Sequence, residues 1–487
     1  MVFMYDEMRA ERLRKLELLK EAGMEGYPVS TGRSVSGAEF LEKFEELVSS
    51  GGTEVLAGRV LSIRGQGGII FADVADGTAR VQFVLEKAEM GDEAFVLFES
   101  AVDQGDFVEA TGVAYLTKRG QQSLKVTSWK MLAKSLAPLP TEWYGIQDTE
   151  LKLRERYLDI LLNEDLRDMF IRRGAFWQAM RNFLLQRKFL EVETPILENS
   201  PGGADARPFI THHNALDMEV YLRISAGELW QKRLLVAGFP KVFEIGRIFR
   251  NEGQSREHLQ DYTQLETYEA YSDMKKGMQF IQDLYRHIAQ EVYGRTRFTV
   301  QGHEFDLADE WKEINFCEII NEKFGIDPLT VSKDDAIAAV HAHKIQVGET
   351  LNKARAVDHL WKSIRKTISG PAFLVGIPVY LEPLAKRSPE NSNVVERCQV
   401  LLAGSEMGKG FSELNDPQDQ TARFEEQQKL RDGGDDEAQR LDTDYIRAME
   451  YGMPPAFGFG MSERFFAFLE NKSAYETQIF PLLRPKN

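Results

Sequence analysis

Between positions 243 and 271 the chain reads FEIGRIFRNEGQSREHLQDYTQLETYEAY, which gathers fixed cations and carboxylates around one short loop. Apolar and polar residues alternate on both sides of that loop, the period of two strands joined as a hairpin. At this period Val242, Glu244, Gly246, Ile248 and Arg250 share one face, and Phe243, Ile245 and Phe249 share the other. On the return strand Gln264, Glu266 and Tyr268 alternate with Leu265 and Thr267. Arg250, Glu252, Glu266 and Tyr268 are therefore expected near one another on one sheet surface. An arginine fork suits phosphate, and carboxylates suit an ammonium. The surface fits a ligand with a phosphate at one end and an ammonium at the other. The plain alternative is a solvated antiparallel hairpin.

The rest of the chain must hold that hairpin. Its 487 residues are enough for a sizeable core and two or three domains, and 43% hydrophobic with 28% charged residues is a globular composition. A formal net charge of −16 argues against general nucleic-acid affinity, so an RNA partner requires locally gathered basic residues. Cys317 and Cys398 lie far apart in no metal-ligand pattern and read as packing thiols of a reducing cytosol. No apolar run reaches membrane-spanning length and the N-terminus lacks a signal-peptide core, so a cytoplasmic protein without a membrane partner is expected.

Met8–Ala22 reads as an amphipathic helix with a narrow Leu13, Leu16, Leu19 stripe and many basic residues. Two readings stand level: a basic helix lying along RNA, and a solvated helix packed on the next domain. Residues 55–132 are short alternating strands broken by Gly and Asp-Gly, the rhythm of an OB-fold barrel. Such barrels stack bases on aromatic residues and track the backbone with cations, which makes Arg64, Phe71 and Gln82 candidates. Pro138–Asp148 reads as a linker. Beyond it come a long helix over 166–188 and a short strand ending at Pro195. Residues 332–368 form a charged helical insertion whose His341 and His343 read as surface residues. The expected domains are 1–54 helical, 55–135 OB-fold, 136–149 linker and 150–487 catalytic. The fold class is α+β, a barrel followed by an antiparallel sheet flanked by helices.

The hairpin, with its F-R-N-E core, aromatic residue and L-E-T-Y strand, resembles motif 2 of class II aminoacyl-tRNA synthetases, in the lysyl-tRNA synthetase branch. PGGADARPFITHHN at 201–214 is similar to that branch almost residue for residue. FLEVETP at 189–195 resembles motif 1, and GFGMSERFFAFL at 458–469 resembles motif 3. AGRVLSIR with its following F and DGTARVQ resembles the bacterial anticodon barrel.

The resemblance implies lysine–tRNA ligase activity, with ATP, L-lysine and tRNA(Lys) as partners, magnesium with the ATP, and a homodimer built on motif 1. It implies that Arg250 grips the α-phosphate, and that Arg256 and His258 hold the outer phosphates. Tyr262 covers adenine, Glu252 meets its edge, and Arg464 closes from the opposite side. Glu406 and Gln399 stand at the metal positions. Gly203, Glu228, Glu266, Tyr268, Phe411 and Glu413 stand at lysine-binding positions, and Arg64, Phe71 and Gln82 at anticodon positions. A buried ammonium must be paired, and an acid-rich pocket rejects aspartate. The chain departs from the family at Gln399, where a carboxylate is usual, at Lys409, where asparagine is usual, and by one extra residue in S-A-G-E-L. Two alternatives stand beside this reading: a relative charging asparagine or aspartate, and a non-catalytic tRNA-binding paralogue, the latter on Lys409, Gln399 and one extra residue in G-F-G-M-S-E-R.

Overall fold

The structure is a computed structural model that describes residues 2–140, 148–200, 202–204, 206–253, 258–347, 351–432 and 439–485. Arg256 and most of the expected linker lie outside the described residues. The chain divides into two compact units, Met1–Lys152 and Leu153–Asn487.

The first unit begins with helix α1, Val2–Glu21. A closed barrel follows: β1 Thr53–Gln66, β2 Ile69–Ala75, β3 Arg80–Glu86, β4 Phe107–Leu116 and β5 Gln122–Ala133, in the order β1-β2-β3-β5-β4. Alternation decides the inside. In β2, Ile70, Ala72 and Val74 are buried, and the residues between them face outward. Helix α2, Asp92–Ala101, turns Phe95 and Phe98 into the same core. Of the two readings of α1, packing has structural support: Leu19 is in this core, and Arg12 donates to the carbonyls of Gln104, Ser135 and Ala137. Burying a guanidinium is tolerable because three carbonyls receive it.

The second unit is built on one large sheet. Helix α3, Glu164–Gln186, starts at Asn163, whose side chain accepts from the Leu166 N–H, and buries Met169, Phe176, Met180 and Phe183. After β6, Leu190–Glu191, come helix α4, Glu228–Val236, and the hairpin β7, Lys241–Phe249, with β8, Asp261–Ala270. Helix α5, Met274–Tyr293, packs on α3. Then follow β9 Lys312–Asn315, helices α6 Lys333–Ala342 and α7 Lys353–Arg365, β10 Ala372–Val375, β11 Arg397–Leu402 and β12 Ser405–Ser412. Helix α8 Thr443–Glu450, β13 Ala456–Ser462 and helix α9 Arg464–Leu469 close the unit.

The sheet order is β9-β10-β11-β12-β13-β8-β7-β6. Its interior pairs are antiparallel as expected, but β6 and β9 join the two edges in parallel, so the sheet is mixed. The 332–368 insertion is no loose appendage. Ala336, Val340, Ala356, Val357, Leu360 and Trp361 enter a core with Leu374, Leu401 and Phe411. His341 and His343 are exposed, as expected.

Candidate active site

The hairpin register sets the site. Glu244 lies directly opposite Glu266, and Val242 opposite Tyr268. Two facing buried acids repel, but Glu244 is taken by Arg223, itself fully buried, and by the N–H and hydroxyl of Thr194. Glu266 is held differently. It accepts from the Ala226 N–H at 2.8 Å, Gln264 Nε2 at 2.9 Å and the Tyr268 hydroxyl at 2.9 Å. Burial, then the nearby Glu228 carboxylate, push its pKa up to about 7.

Glu228 opens α4 after Gly227, whose φ of +78° is the left-handed turn that lets the longer S-A-G-E-L loop enter the helix. Gly203 passes so close that a Cβ there would lie 2.7 Å from the Glu228 Cβ and from Ser225 Oγ. Glu413, just beyond β12, is buried, and burial pushes its pKa up to about 8 despite a neighbouring cation. Gly458 of β13 makes room for it: a Cβ there would lie 2.0 Å from Glu413 Oε1 and 2.7 Å from the Tyr268 ring.

The cation was not foreseen from the sequence. Lys232 Nζ lies 2.9 Å from Glu228 Oε1 and 2.6 Å from Glu413 Oε2, under the rings of Phe411 and Tyr268. Burial disfavours its charge, but Glu228 and Glu413 outweigh burial and hold its pKa well above the usual lysine value. Glu228, Glu266, Tyr268, Phe411 and Glu413 are therefore brought together, around an ammonium of the chain's own. The available signal was the spacing of four between Glu228 and Lys232, one helical turn. That spacing usually marks a solvated pair, and burial is not readable from it.

At the other end of β8 lies a cavity of about 130 Å³ lined by Arg250, Glu252, His258, Tyr262 and Arg464. The Arg250 guanidinium stands 5.8 Å from the Tyr262 ring centre and donates to the Ile224 carbonyl. Burial raises the Tyr262 pKa, so its hydroxyl stays neutral. Arg464 opens α9, which has only six residues, so the site rests on the side chain and not on a helix dipole.

A third group faces a cavity of about 360 Å³ between α7 and the sheet. A bulge at Val400–Leu401 shifts the register so that Glu406 faces this cavity together with Lys409 and Gln399. Glu406 Oε1 accepts from Trp361 Nε1 at 2.7 Å. Gln399 Oε1 accepts from Arg397. An amide oxygen already facing a guanidinium does not fit a divalent cation, whereas Glu406 fits as a single carboxylate ligand of an ion carried by phosphates. Among the described residues no three His, Cys, Asp or Glu side chains form a metal cluster. Lys409 Nζ lies 3.1 Å from Glu382, which also meets Arg397. Burial would raise the Glu382 carboxyl, but Lys409 and Arg397 hold it below the ordinary range. Lys409 is therefore held on Glu382, whose one carboxylate it shares with Arg397.

On the barrel, Arg64 pairs with Phe71 in register, and Gln82 with Asp73. Phe71 and Gln82 point outward from β2 and β3, half-buried, and Arg64 is exposed. Gln82 Oε1 accepts from Ser123 Oγ of β5. The three candidates share one outer face.

Known proteins resemble the chain over nearly all of its length. The family described as tRNA synthetases class II (D, K and N) matches residues 148–484, and an OB-fold nucleic acid binding domain matches residues 55–132. The chain is 42% identical over 486 residues to a lysine–tRNA ligase of Roseiflexus castenholzii, covering 99% of each protein. It is 40% identical over 491 residues to that of Halalkalibacterium halodurans, covering 99% of this chain and 98% of the relative. With that of Thermotoga maritima the identity is 38% over 492 residues, at 99% and 97% coverage. A hairpin with an arginine-lined cavity at one end and an acid-lined pocket at the other, in a chain matched from end to end by these relatives, places it in the class II aminoacyl-tRNA synthetases, in the lysine–tRNA ligase family.

Proposed function

We infer that the protein activates L-lysine with ATP and transfers it to the 3′ end of tRNA(Lys). The observation that carries this reading is the two-ended strand β8. Glu266 and Tyr262 are four residues apart, about 13 Å along a strand, which leaves an amino acid and a phosphate lying end to end between the acids and Arg250.

The first step joins two anions. An oxygen of the lysine carboxylate attacks the α-phosphorus of ATP, and the bond to the bridging oxygen breaks as pyrophosphate leaves. Arg250 neutralises both the α-phosphate and the incoming carboxylate, so positioning and electrostatics do most of the work. His258 and Arg256 hold the outer phosphates, Tyr262 covers adenine, Glu252 meets its edge, and Arg464 closes from the other side. Glu406 would hold magnesium carried by ATP, which would supply positive charge at the phosphates. Glu228, Glu266 and Glu413 pair the substrate ammonium, and Tyr268 keeps Glu266 oriented. In the second step a terminal ribose hydroxyl of tRNA attacks the adenylate carbonyl carbon and AMP leaves. The barrel face of Arg64, Phe71 and Gln82 reads the anticodon.

A cytoplasmic homodimer fits the same reading. Leu185, Leu190, Ile196 and Leu197, in and beside the motif 1 stretch, are about half exposed, an apolar run that a second copy would cover. No described helix is long and apolar enough to cross a membrane.

The test is ATP–pyrophosphate exchange with each amino acid in turn. Exchange with lysine is expected. Exchange with asparagine but not lysine, or tRNA binding without any exchange, would replace this reading. Glu266→Gln should raise the KM for lysine far more than that for ATP; equal losses would remove Glu266 from the ammonium pocket.

A further inference from the structure

The activation chemistry leaves Lys232 without a part, yet it stands in the middle of the acids. Its side chain is wholly buried and rises from α4 one turn after Glu228. Around it are Glu228 on its own helix, Tyr268 and Glu266 from β8, Phe411 and Glu413 from β12 and just beyond, and the Tyr445 phenol from α8. Glu382, already matched by Lys409 and Arg397, is the next charge out from Glu413. Lys232 contacts one oxygen each of Glu228 and Glu413. Glu413 Oε1 is buried and finds no hydrogen-bond donor among the described residues, on the side kept open by Gly458.

We propose that Lys232 is a positioning residue for amino-acid selection, a tethered counter-ion that stays in place while the substrate ammonium binds, so that two ammonium groups share Glu228, Glu266 and Glu413. The proposal rests on the reading of the site as lysine-activating and adds a residue to it. Three carboxyls in a dry wall repel one another and take up protons. A protonated carboxyl offers an ammonium no charge. Lys232 offsets part of the burial that drives Glu413 to hold its proton, so the arriving substrate has less protonation to reverse. Three carboxyl groups against one ammonium leave acceptor oxygens over, which a second ammonium satisfies with charge and a neutral amide side chain does not. The orphan Glu413 Oε1 is the acceptor that Lys232 leaves over.

The experiment is lysine-dependent ATP–pyrophosphate exchange across pH 6–9 for the unmodified protein, Lys232→Met and Lys232→Arg, with KM for lysine and ATP measured separately. For Lys232→Met, the lysine KM at pH 7 should rise about tenfold or more, and the pH below which it climbs should move up by about one unit, with the ATP KM within about twofold. Lys232→Arg should recover most of the pH profile. Removing one partner of a buried pair can unfold a protein, so Lys232→Met/Glu413→Gln is made alongside. It removes both charges and should fold, with a raised lysine KM and a flatter pH profile. An unchanged pH profile in the variants overturns the proposal. So does a lowered lysine KM, because Lys232 would then be competing for the substrate's place. If the unmodified protein shows no lysine-dependent exchange, the functional reading itself fails and the proposal with it. If it exchanges and the variants do not shift, only the proposal fails.

Discussion

Lysine binding should release protons. Glu266 and Glu413 are pushed up to about 7 and about 8, in each case first by burial. In the free protein at pH 7, a group titrating near 8 keeps its proton in roughly nine molecules of ten, and one near 7 in about half. The lysine side chain, titrating near about 10.4, stays charged throughout this range. An arriving ammonium favours the ionised carboxyls and draws both titrations downward, so about one to two protons leave for each lysine bound at pH 7. The sign follows: binding tightens as pH rises, because fewer protons have to be expelled. With one to two protons linked, Kd should fall at least about tenfold between pH 6 and 7, about 1.4 kcal/mol or more, and level off above about pH 8. The Tyr268 hydroxyl, whose pKa burial and then Glu228 raise well above the usual value, remains a donor to Glu266 across the whole range. The assay is calorimetric titration of the ATP-free protein with lysine at pH 7, in two buffers of different ionisation enthalpy. The difference in observed heat counts the protons directly. A buffer-independent heat together with a Kd flat from pH 6 to 8 would refute the reasoning, since the acids would then be ionised before lysine arrives.

Other perturbations separate the ends of the site. Gly458→Ala puts a methyl group 2.0 Å from Glu413 Oε1, and the displaced acid should cost about a hundredfold in kcat/KM for lysine while the ATP KM changes little. Lys409→Asn should change the lysine KM by no more than about threefold, because the charge removed is half exposed and held on Glu382; a tenfold improvement would show that Lys409 repels substrate. Glu198 is buried, bonded through Oε1 to Trp230 Nε1, and pushed by burial to about 7. Its folded pKa lies above the unfolded one, so the folded state holds the extra proton, and stability falls as pH rises from about 4.5 through about 7. Glu198→Gln should therefore leave the urea midpoint nearly unchanged at pH 5 and raise stability at pH 9 by up to about 3 kcal/mol.

Local pattern carried much of this protein. The hairpin strands were legible because apolar Phe243 and Leu265 alternate with polar-tipped Glu244, Glu266 and Tyr268, and a period of two sets them on opposite faces. The barrel was legible for the same reason, and the phosphate end, the acids and the family followed from residue types in fixed spacing. Tertiary structure alone decided which charges neutralise which. Glu244 faces Glu266 in register, yet Arg223, distant in sequence, leaves only Glu266 for a ligand. The partner of Lys409, Glu382, appears only in the folded chain. Nothing in the local pattern marks Lys232 as the cation on which Glu228 and Glu413 meet. Periodicity reports which side of an element a residue occupies, a matter of a few neighbours along the chain. Pairing and burial of a charge depend on groups tens of positions away or, for Lys232 and Glu413, nearly two hundred, and those contacts exist only once the sheet has formed.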